Sequence, residues 1–220
     1  AILAARAGRT EITMADLEEA SEKVQMGPEK KSKVVPEDEK KMVAYHEVGH
    51  GIVGYIIGGG DRVHKITMIP RGQAGGYTLS LPEEEKSFHS KKYMLDRIAR
   101  YFGGRAAEEI IFGKENITDG AGSDIYYATL IAKDIVTKYG MTEKFGPVFL
   151  EATEEDYMLQ RKYYSEQTGK EVDDEIRKII TEQYSRAKNI LLDNRDKLEE
   201  VTNILLEKET IMGDEFEAIM

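Results

Sequence analysis

Residues 46–50 read His46-Glu47-Val48-Gly49-His50, and the fold is best read outward from these five positions. Pro36 suits the first turn of a helix, Glu37, Asp38 and Glu39 follow where the positive end of a helix dipole favours acids, and Gly58-Gly59-Gly60 ends the segment. A helix is therefore expected from 36 to about 57. Four residues of α-helix turn about 400° and rise about 6 Å, which puts both imidazoles on one face. Two neutral imidazoles so spaced can share one Zn²⁺ at roughly 2.0–2.1 Å, leaving positions for a third protein ligand and a water. Glu47 stands about 100° round the helix, close to the metal without having to bind it. There it can act as general base, taking the proton of a zinc-activated water and handing it to the leaving amine. Gly49 costs about 1 kcal/mol relative to Ala inside a helix, so its presence implies close approach by another backbone or by substrate.

A third ligand must come from elsewhere. The position six residues after His50 is Ile56, which excludes the extended metzincin pattern. His64, His89, Glu108, Glu109, Asp119 and Asp124 remain. Asp124 is the most attractive because it follows Gly120-Ala121-Gly122-Ser123 at an expected helix N-terminus, where unpaired N–H groups favour a carboxylate. The same facts fit an acid that serves only its own helix. Glu108 and Glu109 lie beside Ile110 and Ile111, and a buried carboxylate there could accept the second ring N–H of a zinc histidine. His64 reads as a strand residue and His89 as surface, both outside the site.

The rest of the chain reads as mainly α with a small β-sheet. Thr13 to Asp16 has the form of a capping signal, with Leu17, Ala20 and Val24 following at helical spacing up to Gly27-Pro28. Charged residues 29–33 lack an apolar stripe and read as a linker. Strands are expected over 63–69 and 77–81, the second alternating Tyr77, Leu79 and Leu81 with Thr78 and Ser80, as in a sheet with one buried face. A peptide substrate could add itself as a strand to such an edge, near Arg71, Gly72 and the stretch Gly76, Tyr77, Thr78 and Leu79. Helices are expected over 90–112, over 124–139 with Ser123 as cap, over 172–192 and 195–208, with a short one from 213. The polar stretch 151–170 reads as an excursion between them.

Composition excludes several alternatives. The chain has no cysteine, so disulfides, thiolate–zinc sites and cysteine nucleophiles are impossible. A net charge of −10 argues against a nucleic-acid partner. No apolar run approaches the roughly 20 residues that span a bilayer, and no Gly-x-x-x-x-Gly-Lys-Ser/Thr phosphate loop occurs.

Four blocks together resemble the peptidase domain of the FtsH family, the membrane-anchored AAA+ metalloproteases. They are Ala44 to His50, Val63-His64-Lys65 through Ile69-Pro70-Arg71-Gly72, Gly103-Gly104-Arg105-Ala106-Ala107-Glu108-Glu109-Ile110-Ile111-Phe112-Gly113, and Gly120 to Asp124. Val48 departs from the Ala usual in that family, at a position that is not a ligand. The resemblance implies a zincin-like active-site helix in a helical peptidase domain, with His46, His50 and Asp124 holding one zinc, Glu47 as base and Glu108 as the carboxylate behind a zinc histidine. It implies that residues 1–27 are the end of the ATPase lid, that 28–35 form a linker with Gly27 at the hinge, and that 36–220 are the peptidase. It further implies a homo-hexamer, polypeptide substrates, and ATP and membrane anchoring only through a missing N-terminal part. The expected location is the cytoplasmic face of a bacterial inner membrane, or else a mitochondrial or chloroplast membrane. The sequence looks like the C-terminal portion of such a protein, carrying the cutting chemistry without the motor.

Overall fold

The computed structural model describes residues 1–30, 35–72, 74–84, 86–151 and 164–220. Helices α1 (Ile2–Arg6) and α2 (Met14–Met26) come first, then α3 (Glu37–Ile57) and the strands β1 (Asp61–Thr67) and β2 (Tyr77–Pro82). Helices α4 (Lys91–Tyr101), α5 (Gly103–Phe112) and α6 (Gly122–Lys133) follow, and α6 runs on into a π-helical turn, Asp134–Lys138. The chain ends with α7 (Glu166–Asp193), α8 (Arg195–Lys208), β3 (Thr210–Met212) and α9 (Gly213–Ile219). It is mainly helical with one small antiparallel sheet of order β2-β1-β3.

Helix α3 is the axis around which the rest packs. Ala44, Val48, Ile52 and Val53 are completely buried, because α5, α8 and β1 cover it on different sides. Close approach is what the glycines permit. A Cβ on Gly49 would stand 2.5 Å from the Gly103 carbonyl oxygen and 2.7 Å from Ala107 Cβ, so α3 and α5 meet backbone to backbone as Gly49 implies. Overpacking costs about 1–3 kcal/mol, and a fixed carbonyl cannot rotate away, so the loss outweighs the roughly 1 kcal/mol that Ala gains over Gly in a helix. Gly49→Ala is expected to lower the thermal midpoint of unfolding. An unchanged or higher midpoint would show that the two helices can part at no cost.

The same approach breaks the helix expected over 90–112 into two. Phe102 links α4 to α5, so that Gly103 and Gly104 face α3; a Cβ on Gly103 would stand 2.6 Å from the Gly49 carbonyl oxygen. Other boundaries move for local reasons. The helix at 124 begins two residues earlier, at Gly122, after a 3₁₀ turn at Asp119–Ala121, and Ala121 rather than Ser123 precedes it. The helix at 172 begins at Glu166, where Ser165 Oγ accepts the Thr168 N–H at 3.1 Å. Most of the excursion expected over 151–170 lies outside the described residues, as does most of the 29–33 linker. Of the latter, Lys30 donates its N–H to the Pro70 carbonyl at 2.8 Å and Glu29 bridges to Arg71. In β2 only Tyr77 is buried, and Leu81 is 44% exposed, so the expected apolar face extends for a single residue. The short helix α1 and strand β3 were not anticipated at all.

Candidate metal centre

His46 and His50 stand one turn apart on the middle of α3, and Asp124 reaches them from the first turn of α6. The Nε2 atoms of the two histidines are 3.0 Å apart, and Asp124 Oδ2 lies 3.3 Å from the first and 3.4 Å from the second. Among the described residues these three form the one cluster of His or acidic side chains placed to hold a metal together. The far side of each ring fixes its orientation. His50 Nδ1 lies 2.8 Å from the Arg100 carbonyl, which can only accept, so Nδ1 carries the proton and Nε2 keeps its lone pair. His46 Nδ1 lies 2.7 Å from Glu108 Oε1 and is held likewise.

Two ring nitrogens with inward lone pairs at 3.0 Å repel each other unless a cation lies between them. A tetrahedral ion with ligands at roughly 2.0–2.1 Å separates them by roughly 3.3–3.4 Å, close to the three distances found. The donor set therefore fits a zinc-type ion. Without metal, a proton can take its place: burial lowers the His46 pKa, but hydrogen bonds to Asp124 and Glu108 more than offset this and push it up to about 10. A raised pKa is a site protonated at neutral pH, so an incoming metal must displace that proton. We expect zinc uptake at pH 7 to release about one proton per ion from this ring, and apparent affinity to rise about tenfold per pH unit between roughly 7 and 9. Calorimetry in buffers of different ionisation enthalpy measures the first and competitive chelation the second; affinity that is flat with pH would contradict it.

Glu108 is 1% exposed, and its second oxygen accepts the Thr118 N–H at 2.7 Å. Its partner in the pair, Glu109, faces elsewhere, accepting Lys188 Nζ at 2.8 Å and the Tyr184 hydroxyl. Because Glu108 holds the His46 ring, Glu108→Ala is expected to weaken zinc binding about 10–100-fold by chelator competition with the fold intact. Unaltered affinity would mean that the ring needs no support. Gly104 completes the seat, since a Cβ there would stand 2.3 Å from His46 Nε2.

Glu47 does not join the three donors. It is 8% exposed, burial raises its pKa above the ordinary carboxyl value, and Thr78 Oγ1 lies 2.9 Å from its Oε2 and 2.8 Å from its carbonyl oxygen. All these groups open into one cleft of about 1230 Å³. Gly76, Tyr77, Thr78 and Leu79 line one part of it and Tyr93, Arg97 and Tyr101 of α4 another. Strand β2 is at the edge of the sheet, paired only with β1 among the described residues. Tyr77, however, turns its hydroxyl away to Glu22, at 2.7 Å. Two placements differ from the sequence reading. Arg71 is 1% exposed and lies among glutamates, away from the cleft. His89, read as surface and outside the site, is exposed but lines the cleft and stacks on Tyr93 with ring centroids 4.5 Å apart. Thr118 and the Arg100 carbonyl carry no sequence signal, whereas the Gly103-Gly104 pair could have been recognised as a close backbone approach.

A helix bearing two histidines one turn apart, a glutamate between them, a third anionic donor and an edge strand alongside is the arrangement of a zincin-type metallopeptidase. The model of peptidase family M41 matches residues 33–219, and the chain belongs to that family of metallopeptidases. Curated relatives agree along its whole length. The chain is 48% identical over 225 residues to the ATP-dependent zinc metalloprotease FtsH of Caldicellulosiruptor bescii, covering 100% of this chain and 36% of that protein. It is 46% identical over 226 residues to FtsH of Thermotoga maritima, covering 100% of this chain and 37% of the relative. With FtsH of Bacillus subtilis the figures are 44% over 226 residues, 100% and 35%. The chain thus spans about a third of the length of these relatives.

Proposed function

We propose that this chain is the cutting portion of an ATP-driven zinc metalloendopeptidase that degrades membrane proteins and unfolded soluble proteins. The observation that carries the reading is the convergence of His46 Nε2, His50 Nε2 and Asp124 Oδ2 within 3.4 Å of one another beside a buried, non-ligating Glu47. These three donors would hold one Zn²⁺, which when bound supplies Lewis acidity for water and for a peptide carbonyl. The chain's own residues do the rest. An extended substrate segment adds by main-chain hydrogen bonds to the edge of β2 that is unpaired among the described residues, which favours unfolded chains and loose sequence preference. Glu47 takes a proton from the attacking water and delivers it to the nitrogen of the breaking amide bond, a transfer suited to a carboxylate whose pKa burial has raised. Thr78 orients that carboxylate, and Glu108 and the Arg100 carbonyl hold the imidazoles.

Gly27, with φ of +92°, is the hinge between an amino-terminal lid portion and the peptidase in this reading. ATP use, membrane anchoring at a bacterial inner membrane and assembly as a homo-hexamer would come with the longer protein. No helix among the described residues is long and apolar enough to cross a membrane. The test is metal content per chain taken together with casein hydrolysis before and after chelation. One zinc per chain with chelator-sensitive cleavage is expected; cleavage that survives complete removal of metal would overturn the reading.

A further inference from the structure

Among the described residues Arg71 is the largest fully buried side chain, and its guanidinium is surrounded by carboxylates from the amino-terminal segment. Its Nη2 lies 2.8 Å from Glu29 Oε1 and 3.0 Å from Glu22 Oε2, and it also donates to Glu19. Glu22, 7% exposed, accepts Lys65 Nζ at 2.9 Å and the Tyr77 hydroxyl at 2.7 Å. The cluster thus ties α2 to β1 and to the first residue of β2. It is also what holds α2 in place. The buried residues of α2 are Asp16 and Glu22, while Leu17 and Val24 are 55% and 86% exposed, so apolar packing contributes little. A buried ion cluster is favourable only while its geometry is kept, because each desolvated charge needs its partner.

Strand β2 pairs with β1 along its length, but its one buried side chain is at that end. Burial falls away beyond Tyr77, and the outer edge of the strand has no partner among the described residues. The next residue, Thr78, meets Glu47. We propose that Glu22 is a positioning residue for the peptidase site: by holding the Tyr77 hydroxyl it sets the edge strand, and so sets where Thr78 meets Glu47. Catalytic competence then depends on α2 being docked, and a swing of α2 about Gly27 withdraws Glu22 from Tyr77 and lets the strand loosen. The kinetic side of this rests on the peptidase reading; the structural side does not.

Glu22→Met keeps the length and removes the acceptor of the Tyr77 hydroxyl, and Tyr77→Phe removes only the hydroxyl. In either variant the amides of 77–81 are expected to exchange hydrogen about tenfold faster than in the unaltered protein. With zinc content unchanged and the thermal midpoint well above the assay temperature, kcat on an unfolded peptide should fall about 5–10-fold, and the double variant should be no worse than the worse single one. Unchanged exchange over 77–81 in both variants would overturn the link, as would a lowered midpoint with full kcat, or losses that multiply in the double variant. If the unaltered protein cleaves nothing, the peptidase reading fails, and the exchange comparison still decides the link.

Discussion

Glu47→Gln is expected to reduce peptide hydrolysis by about 10²–10⁴-fold, the range over which positioned general bases contribute, while zinc stays bound. The amide has the size of the carboxylate and keeps an oxygen to accept from Thr78 Oγ1, 2.9 Å away, so the local packing has no reason to change. Glu47 is also absent from the three converging donors, so the affinity for metal should be that of the unaltered protein. What is lost is a group able to take a proton. A second, independent signature follows from the pH dependence. Activity should fall on acidification as this buried carboxyl, whose pKa burial raises and the charge of a bound ion lowers, takes up its proton. That acid limb should be missing from whatever rate the glutamine variant retains. Hydrolysis of casein measured alongside zinc content separates the outcomes: full activity in the variant would remove Glu47 from the chemistry, and loss of zinc would make it a structural residue.

The parts of this centre that were legible in the sequence are those fixed by local geometry. His46 and His50 face one way because a helix has a fixed pitch, and the acids after Pro36 and the glycines after Ile57 mark where that helix must start and stop. The capping box at Thr13 and Asp16 is equally local, and it forms. What resisted reading depends on contacts between segments far apart in the chain. Helix α4 parts from α5 at Phe102 because Gly103 must meet Gly49, 54 positions earlier, and no periodicity within 90–112 reports that meeting. Strand β3 is three residues long and exists only because β1 offers an edge to Thr210, Ile211 and Met212. Arg71 is polar on every scale yet buried, since Glu19, Glu22 and Glu29 come to it from another segment. Asp124 is the intermediate case. Its place at an expected helix N-terminus made it the most attractive of several candidates, resemblance to known peptidases implied it as a ligand, and it lies 3.3 and 3.4 Å from the two imidazoles.

Asp124→Ala is expected to be the most damaging change to metal retention, exceeding the roughly 10–100-fold loss anticipated when a group behind a ligand is removed. The two imidazoles supply no charge to offset that of a divalent ion, so the Asp124 carboxylate is the only anionic donor among the three. Its position also draws on the protein for help. Asp124 sits in the first turn of α6, where unpaired N–H groups and the helix dipole favour a carboxylate, and the imidazoles of His46 and His50 beside it hold its pKa below the ordinary value despite burial. It is thus ionised and ready at neutral pH. Asp124→Asn distinguishes charge from geometry. The amide oxygen can still approach the ion, so an asparagine variant with intermediate affinity would assign the remainder of the loss to charge. Zinc per chain after dialysis against a competing chelator measures both. One ion per chain in the alanine variant would mean that the third donor lies elsewhere, whereas an empty site that still melts as a folded protein would show that the helices around α3 assemble without metal and that the ion serves the chemistry alone.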